Sequence, residues 1–509
     1  FSTFVPLLAV VFLKRCAYAG RGRLLHGFVR FGRSQGRPFH RPGAPVSFRC
    51  KGYDPSLMNL LHISAECYPA AKAGGLGDVV GALPKVQNSG KVSASVIMPA
   101  YETSWISSAP RTPVFEGTAP LRNGSFAFRI DEVPPSVLGF RLLLVHIPGK
   151  TDRPGVYIDP WSGSAYWDER ERFLCFQVAV LEWLCRTPAE RADPTVLHCH
   201  DHHSALVPFM AAHCHRFAPL RDLPTVLTIH NGEYQGGYDL SFEANLPAFP
   251  AQHRGLLEWN GMFNSLACGV KCAWRVTTVS PGYMRELMES CAGLEPLLRA
   301  ERAKTRGILN GIDMDVWDPS TDPMLVRTYG ARDLMVGKAA NKKELQDHFR
   351  LREDRPLFSF IGRLVREKGA DLLPDLIRRA AAENLPASFI VLGTGEQALH
   401  EVFSHLQSDC FGWFDSRLEY NERLAHLIYA GSDYLLMPSR VEPCGLNQMY
   451  AMRYGTIPVV RAVGGLRDTV PPLNGVTDRI RDGLKPETPP PVDSVSTADG
   501  SADWGRGFA

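Results

Sequence analysis

The side chains with most chemical potential in this chain are a few cations, one acid and several histidines, each set just past an apolar run. Arg363 and Lys368 stand five residues apart in Gly362-Arg363-Leu364-Val365-Arg366-Glu367-Lys368-Gly369. An arginine supplies a planar fork and a lysine a point charge, so this pair suits a diphosphate. Glu442 lies in Arg440-Val441-Glu442-Pro443-Cys444-Gly445-Leu446, and a carboxylate there can accept hydrogen bonds from sugar hydroxyls. Two glycine-rich segments, Lys72-Ala73-Gly74-Gly75-Leu76-Gly77 and Gly464-Gly465, let backbone approach a ligand closely. Their N–H groups, and those of the helices that follow Gly75 and Gly445, are suited to phosphate oxygens. Four histidines, a cysteine and an aspartate crowd His198-Cys199-His200-Asp201-His202-His203, and that combination invites a metal reading. His230-Asn231-Gly232-Glu233-Tyr234-Gln235 adds a further histidine with amide and phenol neighbours.

Chemistry of this kind needs a scaffold that brings distant loops together. Strand-like apolar runs occur at residues 60–64, 96–99, 196–200, 226–229, 275–279, 357–361, 391–392, 434–437 and 457–460. Apolar residues return at helical spacing after several of them, as in Leu446, Met449, Tyr450 and Met452, and the segment 339–346 also reads as helix. Strand, loop and helix in alternation predict an α/β protein with parallel sheets. In such sheets ligands gather beyond the carboxyl ends of the strands, where all the motifs above fall. Gly464-Gly465 is expected to be a turn after the last strand.

Composition narrows the classes. The chain has 509 residues, enough for two or three domains, with 45% hydrophobic and 21% charged residues. A net charge of +3 excludes nucleic acid as an expected partner, and much of that excess precedes residue 52. The 12 cysteines form no CxxC pair, so free thiols in a reducing compartment are expected. No apolar run is long enough to span a membrane as a helix. Residues 1–53 carry an apolar stretch from Phe4 to Leu13, then repeated arginines, with no acid before Asp54. Such a leader predicts plastid import, in a two-part form suited to a complex plastid, with the cytosol as the alternative.

Taken together, the motifs resemble one family. KAGGLGDVVGALPK over residues 72–85 and EPCGLNQMYAMRYGTIPVVRAVGGLRDTV from Glu442 resemble the signatures of starch synthases and bacterial glycogen synthases. Between them the DRPGxY segment at 152–157, HxHDxH at 198–203, TxHNxxYQG at 228–236, VTTVSPGY at 276–283, GxxNGID at 307–313 and GRLxxxKG at 362–369 are similar to that family's motifs. The resemblance implies two Rossmann-like domains of the GT-B type facing across a cleft. It implies transfer of glucose from ADP-glucose, with UDP-glucose as the alternative donor, to the end of an α-1,4-glucan such as starch, amylose or amylopectin, with retention and without a metal or other cofactor.

Site roles follow from the same resemblance. His230, Glu442, Arg363 and Lys368 are expected to be catalytic. Lys72, Gly74, Gly75, Cys444, Gly445, Leu446, Gly464 and Gly465 are expected to bind the donor. Asp201, Asn231, Tyr234 and Gln235 are expected to meet the sugar or glucan, or to set their loop. Cys444 reads as a packing residue of the loop rather than a nucleophile. The histidine-rich motif then reads as a sugar-side loop without a metal. The implied domains are a targeting leader over 1–53, an acceptor-side domain over 54–325, a nucleotide-sugar domain over 326–470 and a disordered tail over 471–509. The chain departs from the family pattern in three places. Glu169 stands for an Asn, His202 for a Trp and Trp274 for an Asp. The resemblance also stops after Val470, where the family continues into a helix that packs back on the first domain. The expectation is therefore a second domain cut short, with a catalytically weak or inactive glucan-binding relative as the alternative reading.

Overall fold

The computed structural model describes residues 58–472 except 89, 192–194 and 354. The expected leader, and the expected tail from residue 473 on, lie outside the described residues.

The first half is built on a nine-stranded sheet. Its strands are β1 (Met58–Ile63), β2 (Val92–Pro99), β3 (Thr112–Leu121), β4 (Gly124–Val133), β5 (Arg141–His146), β6 (Thr195–His200), β7 (Thr225–Ile229), β11 (Arg275–Thr278) and β12 (Thr305–Gly307). A separate three-stranded sheet holds β8 (Gly237–Tyr238), β9 (Glu258–Trp259) and β10 (Met262–Asn264). The large sheet runs β12-β11-β7-β6-β1-β2-β5-β4-β3. It is parallel from β12 to β5, and the β3–β4 hairpin adds an antiparallel edge. Central strands such as β6 and β7 are buried at every position, as a sheet covered on both faces requires. The helix Glu169–Arg186 contributes thirteen buried residues to that covering layer.

The second half holds β13 (Leu357–Ile361), β14 (Ser388–Leu392), β15 (Phe414–Arg417), β16 (Tyr434–Met437) and β17 (Ile457–Val460). Its order is β15-β14-β13-β16-β17, all parallel. The winding direction reverses between β13 and β16, and in the larger sheet between β1 and β6. Crevices at such reversals, beyond the carboxyl ends of the strands, are where open α/β sheets hold ligands. The predicted fold class, two doubly wound α/β sheets, is the observed one. One local expectation is corrected. Gly464-Gly465 is not a free turn but the first turn of the helix Gly464–Thr469.

The segment between the two sheets is anchored by aromatic packing on the second half. Trp317 stacks on Tyr450 at 3.7 Å and on His426 at 3.9 Å between ring centroids. Asp322 accepts from His426 Nδ1 at 2.7 Å and from the Tyr454 hydroxyl at 2.6 Å, and the Tyr329 hydroxyl donates to the Tyr454 carbonyl at 2.8 Å. Trp317→Ala removes the filling of this packed site. The expected cost is about 3–5 kcal/mol, seen as a lowered midpoint of thermal unfolding. An unchanged midpoint would show that the aromatic stack does not anchor the segment.

Candidate active site

In the second half, the two loops that leave β13 and β16 flank the reversal point. Glu442 is 7% exposed, yet its charge is matched. Lys368 Nζ lies 2.9 Å from both carboxylate oxygens, and Ser439 Oγ donates at 2.9 Å. The loops are bound to one another around this pair. The Arg440 guanidinium meets both oxygens of Asp371, and the Arg440 N–H donates to the Glu367 carbonyl at 2.8 Å. Gly369 has φ 72°, and a Cβ there would stand 2.3 Å from the Pro438 carbonyl oxygen, so only glycine fits the crossing. Arg363 is the more exposed cation, with its guanidinium 3.3 Å from Glu367. Its planar donors therefore remain largely at the surface of the crevice, as a phosphate-binding group requires.

Glu442 continues into Cys444, Gly445 and Leu446. Burial pushes the Cys444 thiol up to about 12, which agrees with a packing role and not with attack. Gly445 sits at φ 71°, where Gln448 folds back to donate to the Cys444 carbonyl at 2.9 Å and the Gly445 carbonyl at 3.0 Å. The Gly464-Gly465 N–H groups, expected to meet phosphate, are engaged elsewhere. Gly464 donates to Glu286 of the first half at 2.7 Å, and Gly465 donates to the Glu442 carbonyl at 3.0 Å. Any side chain at Gly464 or Gly465 would collide with the loop at Glu442 or Cys444, so these glycines serve close packing under the acid.

The first half brings three strand ends to the same place. After β1, buried Glu66 organises the glycine-rich loop. One of its oxygens accepts from the N–H groups of Ala73 at 2.6 Å and Gly74 at 2.9 Å, and the other from the Tyr157 hydroxyl at 2.7 Å. The Gly74 N–H is thus held by Glu66, and the donor surface of the loop begins at Gly75, the first residue of the helix Gly75–Gln87. Lys72 pairs with Asp78 at 2.8 Å. A Cβ at Gly75 would lie 3.7 Å from Leu446 of the other half, so the two expected donor-binding segments face each other.

After β6 and β7 the histidines line up. Gln87 Oε1 meets His62 Nε2 at 2.8 Å, His62 Nδ1 meets His200 Nε2 at 3.0 Å, and His200 Nδ1 meets His230 Nε2 at 3.0 Å. Burial holds all three rings neutral, with the His230 imidazole pushed down to about 3 and that of His62 to about 4. An amide oxygen can only accept, so protons assigned outward from Gln87 sit on Nε2 of each ring. That leaves Nδ1 of His230 as an acceptor at the end of the chain. Asp201, at φ 56°, accepts from the His230 N–H at 2.6 Å, and burial pushes its carboxyl up to about 7. Asp201 therefore ties the β6 and β7 loops together with one oxygen. Asn231 Oδ1 accepts from the Glu233 N–H at 3.0 Å, and Gln235 is engaged with the Cys291 carbonyl at 3.0 Å and Asn264 at 2.8 Å. Gln235 thus sets its loop, whereas the Tyr234 ring is half exposed.

The two halves are joined around this cluster. Ser280 donates to the Pro443 carbonyl at 2.6 Å, and the Gly282 N–H donates to Asp468. Burial raises the Glu233 carboxyl, Glu367 raises it further, and Arg363 and Lys368 oppose the rise, so the His230 loop faces the cation loop. Glu66, Ser439, Glu286 and the Gln87–His62–His200 chain escape a sequence reading. Each acts through backbone or another side chain, and the only signal for Glu66 was an acid directly after a buried strand.

Two such halves, with cations and an acid at one reversal point and a glycine-rich helix start and histidines at the other, define a GT-B glycosyltransferase. Residues 59–300 match the family model described as starch synthase catalytic domain, and residues 341–476 match glycosyl transferases group 1. The glycogen synthase of Flavobacterium johnsoniae is 48% identical over 414 residues, covering 81% of this chain and 85% of that protein. That of Streptococcus pneumoniae is 38% identical over 439 residues, covering 82% of this chain and 86% of its own. The catalytic domain of starch synthase IV from Arabidopsis thaliana, solved bound to ADP and acarbose, superposes with TM-score 0.74 at 31% identity, covering 82% of this chain and 86% of that one. The chain belongs to the starch and glycogen synthase family of glucosyltransferases.

Glu66→Leu leaves the Ala73 and Gly74 N–H groups without their acceptor, whereas Glu66→Gln keeps an oxygen for them. Initial rates against nucleotide-sugar concentration should show kcat/KM down roughly 10- to 100-fold for the first and near wild type for the second. Equal rates for all three proteins would contradict the loop-holding role.

Proposed function

We propose that this glucosyltransferase moves glucose from ADP-glucose to the terminal 4-hydroxyl of an α-1,4-glucan, with retention of configuration and without a metal. The observation that carries this reading is the meeting of Arg363, Lys368 and Glu442 at the β13–β16 reversal with the His230 loop opposite. The ADP and acarbose bound by the Arabidopsis relative support a nucleoside diphosphate sugar and a glucan as the two substrates. UDP-glucose is the alternative donor.

As the bond from glucose to diphosphate breaks, negative charge grows on the leaving group. Arg363 and Lys368 meet that charge as fixed cations, with the N–H groups at Gly75 and the Lys72 ammonium on the other side. Glu442 holds donor-sugar hydroxyls and balances the positive charge that develops at the sugar. His230, neutral and with Nδ1 unprotonated, accepts a hydrogen bond from the transferred glucose. Leu446, Gly445 and Cys444 shape the donor wall, and Asp201, Asn231 and Gln235 hold the loops that present Tyr234 to glucan. The incoming glucan hydroxyl attacks from the face the diphosphate leaves and passes its proton to the departing diphosphate oxygen, which retains configuration without a covalent carboxylate. Closure of two lobes excludes water, so glucan accepts the glucose. The arginine-rich, acid-free leader supports plastid import.

The test is transfer of labelled glucose from ADP-glucose, and separately UDP-glucose, onto glycogen, with and without a chelator. Incorporation from ADP-glucose is expected, unaffected by chelator, lost in Glu442→Ala and releasable by an α-glucan-specific amylase. No incorporation from either donor, with glucan still bound by the folded protein, would instead support a non-catalytic glucan binder.

A further inference from the structure

Two of the positions where this chain departs from its family meet in space. Glu169 opens the helix Glu169–Arg186, and His202 and His203 lie in the turn after β6. One ligand atom from each of the three side chains lies within 4.8 Å of the others. His203 Nε2 stands 3.8 Å from Glu169 Oε1, too far for a hydrogen bond. Two ligands on one tetrahedral zinc stand about 3.4 Å apart, given metal–ligand bonds near 2.1 Å, so a shift of a few tenths of an ångström brings His203 and Glu169 to ligand spacing.

Ring nitrogens without partners add to this, although the His203 nitrogen nearest Glu169 is Nε2. His203 is 6% exposed, and among the described residues its buried Nδ1 has no hydrogen-bond partner, nor does the buried Nδ1 of His202. The Tyr234 backbone lies close enough to the His202 ring to favour a ring proton. A proton on Nε2 would leave a lone pair on Nδ1, one of the two nitrogens through which histidine ligates a metal. Tyr157 and Phe173 pack against the His203 ring at 4.7 and 4.4 Å, which fixes its plane. The Glu169 side chain is 30% exposed and gives an ion a way in. Arg172 is the nearby cation. Its guanidinium is bound to the Lys150 and Val156 carbonyls, and the Glu169 carboxylate offsets it. A second histidine group, His62, His198 and His200, lacks this character. His62 is engaged through both ring nitrogens with Gln87 and His200, and His198 pairs with Thr228 at 2.6 Å.

We propose that Glu169, His202 and His203 form a site for a divalent transition-metal ion of the Zn2+ type, outside the transfer chemistry. Two imidazoles and one carboxylate suit zinc and its neighbours in the first transition row, with a remaining position open to water. A bound ion ties the start of the helix Glu169–Arg186 to the turn that follows Asp201. Its effect is on stability of the first half, since ion binding to the folded state alone raises the unfolding midpoint.

Glu169→Asn and His202→Trp each restore the residue type the family pattern carries, so both proteins should fold, and Glu169→Asn should keep chelator-resistant glucosyl transfer. The full chain, freed of metal by chelator, would be titrated with Zn2+ by calorimetry and with Co2+ by visible absorption. One ion per chain is expected, with Zn2+ affinity at least about 10-fold weaker in either variant. Zn2+ should raise the unfolding midpoint of the wild type and not of the variants. No binding by the wild type, or unchanged affinity in both variants, would overturn the assignment. So would a Co2+ spectrum with thiolate charge transfer, which would place the ion on cysteine.

Discussion

A buried carboxylate must be matched, and much of the second half is arranged to match Glu442. Lys368 bridges both of its oxygens, and Ser439, three residues earlier in the same loop, supplies a hydroxyl. The pair exists only because two loops from different strands cross at close range. Gly369 permits the crossing beneath the Pro438 carbonyl, and the Arg440–Asp371 ion pair fixes its register. Removing one member of a buried pair strands the other, so acid and ammonium behave as one unit. The same unit faces the crevice where a diphosphate sugar is proposed to sit. Holding the acid and preparing the site for a departing anion are therefore one piece of structure.

The second constraint is registration of the two halves. Glu286 of the first half accepts from the Gly464 N–H, directly beneath the loop whose Glu442 carbonyl is held by Gly465. Ser280 reaches the Pro443 carbonyl from the same side. These contacts place the loop of the acid against the strand ends that carry His230. That histidine is in turn fixed from behind by a line of neutral rings that ends at Gln87, and from the side by Asp201. A ring positioned this way presents one atom, in one protonation state, to the crevice.

The sequence displayed the scaffold well because buried parallel strands are short continuous apolar runs bounded by turns. β6, β7, β13 and β16 all read that way, and the residues just past them carry the chemistry. The β3–β4 hairpin escaped the reading, since an edge hairpin exposed on one side lacks such a run, and β5 escaped it although its buried residues form one. Arg363, Lys368 and Glu442 stood out as charges beside glycine-bounded loops, and His230 stood out only through the resemblance to the family's TxHNxxYQG motif. What each touches was not legible. Nothing local in the sequence tells that Lys368 meets Glu442 seventy-four residues away, that Gly464 donates to Glu286, or that Glu66 takes the Gly74 N–H. Those pairings depend on sheet order and on how the halves meet. The expectation that Gly464-Gly465 would offer its N–H groups to phosphate failed for that reason.

Lys368 and Glu442, paired through both carboxylate oxygens, are expected to work as a single element of the proposed transfer site. A double-mutant cycle on kcat/KM, using Lys368→Ala, Glu442→Ala and both together, measures this directly. Residues acting as one unit give a double variant no worse than the poorer single variant, far from the sum of the two losses. Losses that simply add would show the two side chains acting independently and would contradict the account.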